Sequence, residues 1–294
     1  MKLKFDQNLP HQKAAWEAVV SLFAGQESCF TPFTMPQVQD FNAAGQADLG
    51  LFSGQQGVAN RLVLTEEELL NNLKQVQLKH GLQPSGALDK NDLHYTVEME
   101  TGTGKTYVYL RSIYELYQAY GMTKFIIVVP SLAIKEGVKK SIEITREHLS
   151  DIYKETKVDA FIYDSGNLEQ VRSFAESSHI QIMVINIDAF RRSFTDPTKE
   201  NKANIIHRYN DRLEGQKPIE LIAQTSPVVI IDEPQSVDTT AKSAEAIRSL
   251  NPLFTLRFSA THRDRHLPIY RLDAVDAYNQ KLVKEIAVLE VLPE

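Results

Sequence analysis

Cysteine and tryptophan are nearly missing from this chain: each occurs once in 294 residues. With Cys29 alone, an intramolecular disulfide is impossible, and a structural zinc site built on several thiolates is excluded. Long hydrophobic runs are missing too. The longest aliphatic stretches, around 125–129 and 228–231, are strand-sized, far below the ~20 residues of a membrane helix. Basic charge is in short supply. Against 38 Asp and Glu stand 32 Lys and Arg, a formal charge of −6, so a wholly basic nucleic-acid coat is excluded while a local basic groove is not. No apolar stretch follows Met1-Lys2-Leu3-Lys4-Phe5. No secretory leader and no membrane association are therefore expected, and the cysteine usage suits a reducing, cytoplasmic setting. What is present is ordinary for a globular protein: 43% apolar and 24% charged residues, in a chain long enough to bury a substantial core.

Ala14, Ala15, Ala18, Val19 and Leu22 recur at helical spacing. They predict a helix over 11–23, entered through Pro10 and ended by Gly25. Residues 26–60 are rich in Gly, Gln, Ser and Asn, with Pro32 and Pro36, and read as an irregular excursion. Thr65 and Glu68 form a predicted capping box ahead of Leu69, Leu70, Leu73 and Val76, with Gly81 as the stop. After His94, short aliphatic segments alternate with helical ones. Strands are predicted at 95–99, 125–129, 160–163, 182–186, 228–231 and 253–258, with helices between them, for example over 106–120 and 131–149. Continuously aliphatic strands are covered on both faces, so the pattern predicts an α/β fold with a mostly parallel sheet.

Met99-Glu100-Thr101-Gly102-Thr103-Gly104-Lys105-Thr106 lies between a predicted strand and a predicted helix. Its end fits the phosphate-binding loop pattern, in which glycines let several N–H groups converge on one phosphate at a helix N-terminus. Lys105 is the candidate for the β- and γ-phosphates, and the Thr106 hydroxyl for Mg²⁺. Met99 stands where the pattern has its first glycine. Downstream, Asp232-Glu233-Pro234-Gln235 ends an aliphatic strand. Two adjacent acids on a loop more often serve only solvation. With a phosphate loop upstream they gain a task, Asp232 holding Mg²⁺ and Glu233 orienting or deprotonating a water. Small hydroxyl residues in Arg257-Phe258-Ser259-Ala260-Thr261-His262 can hydrogen-bond the Asp232–Gln235 loop or simply end a strand.

The three strings together resemble motifs I, II and III of superfamily 2 helicases. With Phe125-Ile126-Ile127-Val128-Val129-Pro130-Ser131 and Tyr270-Arg271-Leu272-Asp273-Ala274-Val275-Asp276-Ala277-Tyr278, they look like the Res subunit of type III restriction enzymes. The resemblance implies a RecA-like P-loop NTPase domain that binds ATP and Mg²⁺ through Thr101, Gly102, Thr103, Gly104, Lys105 and Thr106, with Lys105, Asp232 and Glu233 catalytic and Thr106 and Asp232 on the metal. It implies that Gln12 contacts adenine, with Phe5 stacking near the base, although a solvated helix-start residue is the plainer role for Gln12. Gln235, Ser259 and Thr261 become candidates for coupling. Pro130, Ser131, Lys135, Asn186 and Arg191 become candidates for nucleic-acid contact, with Lys139, Lys140 and Arg192 near them, though helix-surface lysines are usually just solvated.

The implied organisation has three parts. Residues 1–91 form the adenine-contacting helix and an insertion packed on the motor domain. Residues 92–265 form the RecA-like core, and 266–294 a linker toward a second motor domain. Motifs IV to VI, the arginine finger and a nuclease cluster are not found in these residues, so the second motor and nuclease domains are expected in a longer chain. The implied partners are DNA and a methyltransferase (Mod) subunit. Two other readings use the same loop: a non-catalytic nucleotide-dependent interaction module, and a small phosphotransferase. Another superfamily 2 DNA or RNA helicase is a further alternative.

Overall fold

The computed structural model describes residues 5–35, 56–193, 198, 202–213, 215–237, 240–261 and 266–283. A central sheet of seven parallel strands dominates it. In chain order the strands are β3 (His94–Met99), β4 (Lys124–Val129), β5 (Val158–Ile162), β6 (Ile180–Asn186), β7 (Val228–Asp232), β8 (Phe254–Ser259) and β9 (Leu267–Leu272). In space they run β5-β6-β4-β7-β8-β3-β9. Two further strands, β1 (Phe30–Thr34) and β2 (Gln56–Asn60), pair antiparallel by themselves.

Side chains alternate across each strand, and the aliphatic strands bury both sets. Phe125, Ile127 and Val129 enter one core, together with residues of α1 (Pro10–Ser21), α2 (Glu66–Lys79), α3 (Lys105–Tyr120) and α4 (Leu132–Ile152). Ile126 and Val128 enter a second core on the opposite face, with α5 (Glu169–Glu176), α6 (Pro218–Gln224), α7 (Pro234–Val237) and α8 (Ala241–Ser249). Helices thus cover both faces of a parallel sheet, and the α/β class with a mostly parallel sheet expected from the sequence is the class observed. One strand, β8, separates the phosphate-loop strand β3 from the acidic strand β7.

The predicted strands and helices fall where expected, shifted by up to three residues at their ends. The capping box is present: Glu68 N–H donates to Thr65 Oγ1 while Thr65 N–H donates to the Glu68 carboxylate. Two features differ from the sequence reading. The excursion over 26–60 contains β1 and β2, with its centre, 36–55, outside the described residues. The segment read as a linker contains β9, which pairs with β3 at the sheet edge, and a short helix α9 (Ala274–Asn279). Pro268 sits inside β9, a position that an edge strand tolerates because one row of its N–H groups has no ladder partner.

Candidate functional site

Parallel strands all end at the same edge of a sheet, and open α/β sheets carry their ligand sites there. Here five neighbouring strands, β6, β4, β7, β8 and β3, bring Asn186, Val129, Asp232, Ser259 and Met99 to that edge. The motif residues, scattered over more than 150 positions, therefore line one ridge.

Met99 closes β3 with its side chain fully buried in the first core. This accounts for the departure from the glycine of the usual pattern, since the position still belongs to the strand and fills a core site. The backbone then turns through Gly102 (φ 84°) and Gly104 (φ 95°), both in the left-handed region where a Cβ is penalised. The turn is braced from within: Thr103 N–H and its hydroxyl both donate to the Glu100 carbonyl, and Thr101 N–H donates to the Glu100 carboxylate. Helix α3 begins at Lys105 with Gly104 as its N-cap, so no side-chain oxygen satisfies its first N–H groups. A glycine-walled turn with a bare helix N-terminus favours an anion.

Gln12 reaches this loop from α1. Its Nε2 donates to the Thr103 carbonyl at 3.0 Å, and the buried His11 places its own Nε2 3.0 Å from the same oxygen. Gln12 lies so close to Gly104 that a Cβ there would stand 2.2 Å from Nε2. Phe5 stacks on Tyr107 with ring centroids 5.9 Å apart and lies 5.2 Å from His148.

Lys105 extends its ammonium toward the Met99 carbonyl at 3.2 Å and the Glu233 carboxylate at 3.6 Å. Asp232, 7% exposed, stands next in chain at the end of β7. Burial first, and the Glu233 carboxylate second, raise its pKa to about 6, with Lys105 pulling the other way. Tyr109 was not singled out from sequence. Its hydroxyl donates to Asp232 Oδ2 at 3.5 Å, so it links the start of α3 to the acid. Spacing offered a signal: Thr106 and Tyr109 are three apart on one helix and share a face.

Glu233 itself adopts φ 54°. A non-glycine residue in that region is uncommon, costs roughly 1–3 kcal/mol, and tends to cluster at sites where geometry serves function. Its N–H donates to the Phe258 carbonyl of β8 at 3.0 Å, which holds the turn in place. Gln235 Nε2 donates to the Glu233 carboxylate, and Gln235 Oε1 lies 2.7 Å from Ser259 Oγ. Ser259 Oγ also lies 2.7 Å from the Thr261 carbonyl and accepts from Thr261 N–H. With one hydroxyl hydrogen, Ser259 donates either to Gln235 or to Thr261. The polar chain Lys105–Glu233–Gln235–Ser259–Thr261 is continuous, and Thr261 joins it through its backbone. His262 lies outside the described residues.

The loops after β4 and β6 are separate from this cluster but on the same ridge. Ser131 caps α4 by accepting from Ile134 N–H, with Pro130 and Lys135 on either side and Lys139 and Lys140 exposed on the helix. Asn186 accepts from Asp188 N–H, and Arg191 is paired with Asp188 at 2.8 Å. Among the described residues no group of three or more His, Cys, Asp or Glu is placed to hold a metal unaided, and no helix is long and apolar enough to cross a membrane.

The family model for the type III restriction enzyme res subunit matches residues 49–264. Among curated proteins, the EcoPI Res subunit from Escherichia phage P1 is 30% identical over 96% of this chain, and the EcoP15I Res subunit from Escherichia coli is 31% identical over 96%. The chain spans 28% of the length of each of these relatives. A solved structure of the UvsW helicase from bacteriophage T4 overlaps 61% of this chain and 50% of its own, with 16% identity and a TM-score of 0.34. Motifs, topology and the extent of the family match agree: the chain belongs to the type III restriction enzyme Res subunit family.

Proposed function

We propose that this chain is the first motor domain of an ATP-driven DNA translocase, the Res part of a type III restriction complex that works with a Mod subunit. The observation that carries the reading is the meeting of Lys105 and Glu233 at 3.6 Å beside a buried Asp232, where the bare start of α3 opens onto the same ridge. That donor set fits a nucleoside triphosphate. The N–H groups of Gly102–Thr106 face its phosphates, Lys105 neutralises the β- and γ-phosphates, and Gln12 turns from the Thr103 carbonyl to the adenine edge. Thr106 and Asp232 fit Mg²⁺, whose other ligands would be phosphate and water oxygens, and which supplies charge neutralisation on the transferred group. Glu233 orients a water for in-line attack on the γ-phosphorus and accepts its proton, so that the bond to ADP breaks as the bond to water oxygen forms. Gln235, Ser259 and Thr261 transmit the state of Glu233 to the end of β8. DNA runs over Pro130, Ser131 and Lys135 after β4 and over Asn186 and Arg191 after β6. The described residues of the 1–91 segment pack on the core, and a second motor domain and a nuclease domain belong to the longer protein.

The test uses the complete Res–Mod complex. Glu233→Gln should bind a fluorescent ATP analogue like the wild type and lose about 10²–10⁴-fold in turnover. Lys105→Ala should lose binding itself. Wild-type turnover by Glu233→Gln would overturn the assignment of the base.

A further inference from the structure

Behind the acidic end of β7 stands a residue that belongs to neither the phosphate-loop string nor the acidic string. Tyr109 lies one turn into α3, and its side chain is fully buried. Its hydroxyl reaches Asp232 Oδ2, and its ring meets the Phe258 ring nearly edge-on, with centroids 5.5 Å apart and planes at 66°. Phe258 is the β8 residue in register with Asp232, and its carbonyl accepts the Glu233 N–H at 3.0 Å. Tyr109, Asp232, Glu233 and Phe258 therefore close a ring across α3, β7 and β8.

The buried neighbours Val108, Leu110 and Ile113 on the same helix are apolar, and a phenylalanine at 109 would fill the same space. A buried hydroxyl is unfavourable unless it is paired. The partner of this one is the acid. The terminal torsion of an aspartate is soft, so a carboxylate that must meet a metal's shell at a fixed angle needs one oxygen held. Hydrogen-bond donors to ligating carboxylates serve that purpose. The edge-on contact with Phe258 fixes the ring, and the ring fixes the hydroxyl.

We infer that Tyr109 is a positioning residue for Asp232: its hydroxyl holds Oδ2 and leaves Oδ1 for the Mg²⁺ shell. The inference rests on the ATP·Mg²⁺ reading above and adds a residue outside both strings. Tyr109 acts through the acid, without touching metal or nucleotide.

The test is the Mg²⁺ dependence of binding, read on the complete Res–Mod complex with a fluorescent, non-hydrolysable ATP analogue. Tyr109→Phe keeps the ring and removes only the hydroxyl. It should raise the Mg²⁺ concentration at half-maximal binding roughly 10- to 100-fold, while affinity at saturating Mg²⁺ is restored to the wild-type value. In an Asp232→Asn background the same change should add nothing, since the two residues act as one unit. A hydroxyl with a merely structural role would lower the melting temperature and leave the Mg²⁺ midpoint unmoved. That result overturns the inference, and so does an equal loss of affinity at every Mg²⁺ concentration. A further shift in the Asp232→Asn background also overturns it, because Tyr109 would then act by another route. These outcomes leave the ATP·Mg²⁺ reading standing. A wild-type complex whose nucleotide binding ignores Mg²⁺ overturns that reading and the inference with it.

Discussion

Burial and the Glu233 carboxylate keep a proton on Asp232 up to about pH 6, some two pH units above a free aspartate. The folded chain then binds more protons than the unfolded one between about pH 4 and 6. Stability contributed by protonated Asp232 is complete below the unfolded pKa and lost as pH rises through the folded one. Asp232→Asn, which keeps the shape and drops the charge, should therefore be more stable than wild type at pH 7.5 by about 1–3 kcal/mol. The gap should shrink at pH 4.5, as urea unfolding at the two pH values would show; a gap independent of pH would contradict the assignment. The same variant should lose Mg²⁺-dependent nucleotide binding, a stability–function trade-off located at one atom pair. At this scale the sequence was legible where chemistry constrains residue type. Lys105, Thr106 and the Asp232–Glu233 pair stand in strings that few other structures need. The left-handed backbone of Glu233, the second donor His11 and the Tyr109 link were not legible. Each depends on where distant elements bring a side chain, and no local spacing records that.

Among the elements, the smallest are the most dependent on others. The β1–β2 pair has two strands and no core of its own, and such pairs are marginal alone. It is held to the sheet by Asn60, 4% exposed, whose Oδ1 accepts from the N–H groups of Thr123 and Lys124 while its Nδ2 donates to the Lys124 carbonyl. Removing that side chain leaves buried polar groups without partners. Asn60→Ala should cost about 2–4 kcal/mol in urea unfolding and speed hydrogen exchange at the amides of Thr123 and Lys124. An effect below 0.5 kcal/mol, as on a typical surface site, would show that water replaces the amide. Element identity was legible wherever periodicity or a cap was strong: the aliphatic strands, the Thr65–Glu68 box, and the Ser131 start of α4. β1 and β2 were not, because five-residue strands in a Gly- and Gln-rich stretch carry too little alternation. β9 was not, because Pro268 argues against a strand until its place at the sheet edge is known.

For the whole molecule, the proposed mechanism divides an ATP site between two motor domains. In that proposal the Lys105–Glu233 side lies in this chain, and the stabilising arginine would come from the second domain. An arginine of this kind is worth about 10³–10⁵ in rate in other NTPases. The 294-residue chain alone should therefore bind ATP weakly, turn it over slowly and respond little to DNA, in a coupled phosphate-release assay. Robust DNA-stimulated turnover by this chain would show that its own residues complete the site.

The placement of β3 between β8 and β9 bears on how the protein is made. The phosphate-loop strand leaves the ribosome well before its parallel neighbours: His94 pairs with Thr255, 161 positions later, and Tyr95 with Leu267. At about 5–20 residues per second, the strand waits roughly 8–30 s for a partner. During that interval β4, β6 and β7 can already assemble, so the acidic end of β7 exists before the loop it serves is held in register. A nascent chain halted before β8 would carry every residue of both signature strings and still lack the pocket. Nucleotide capture by the nascent chain would then mark the arrival of β8 and β9.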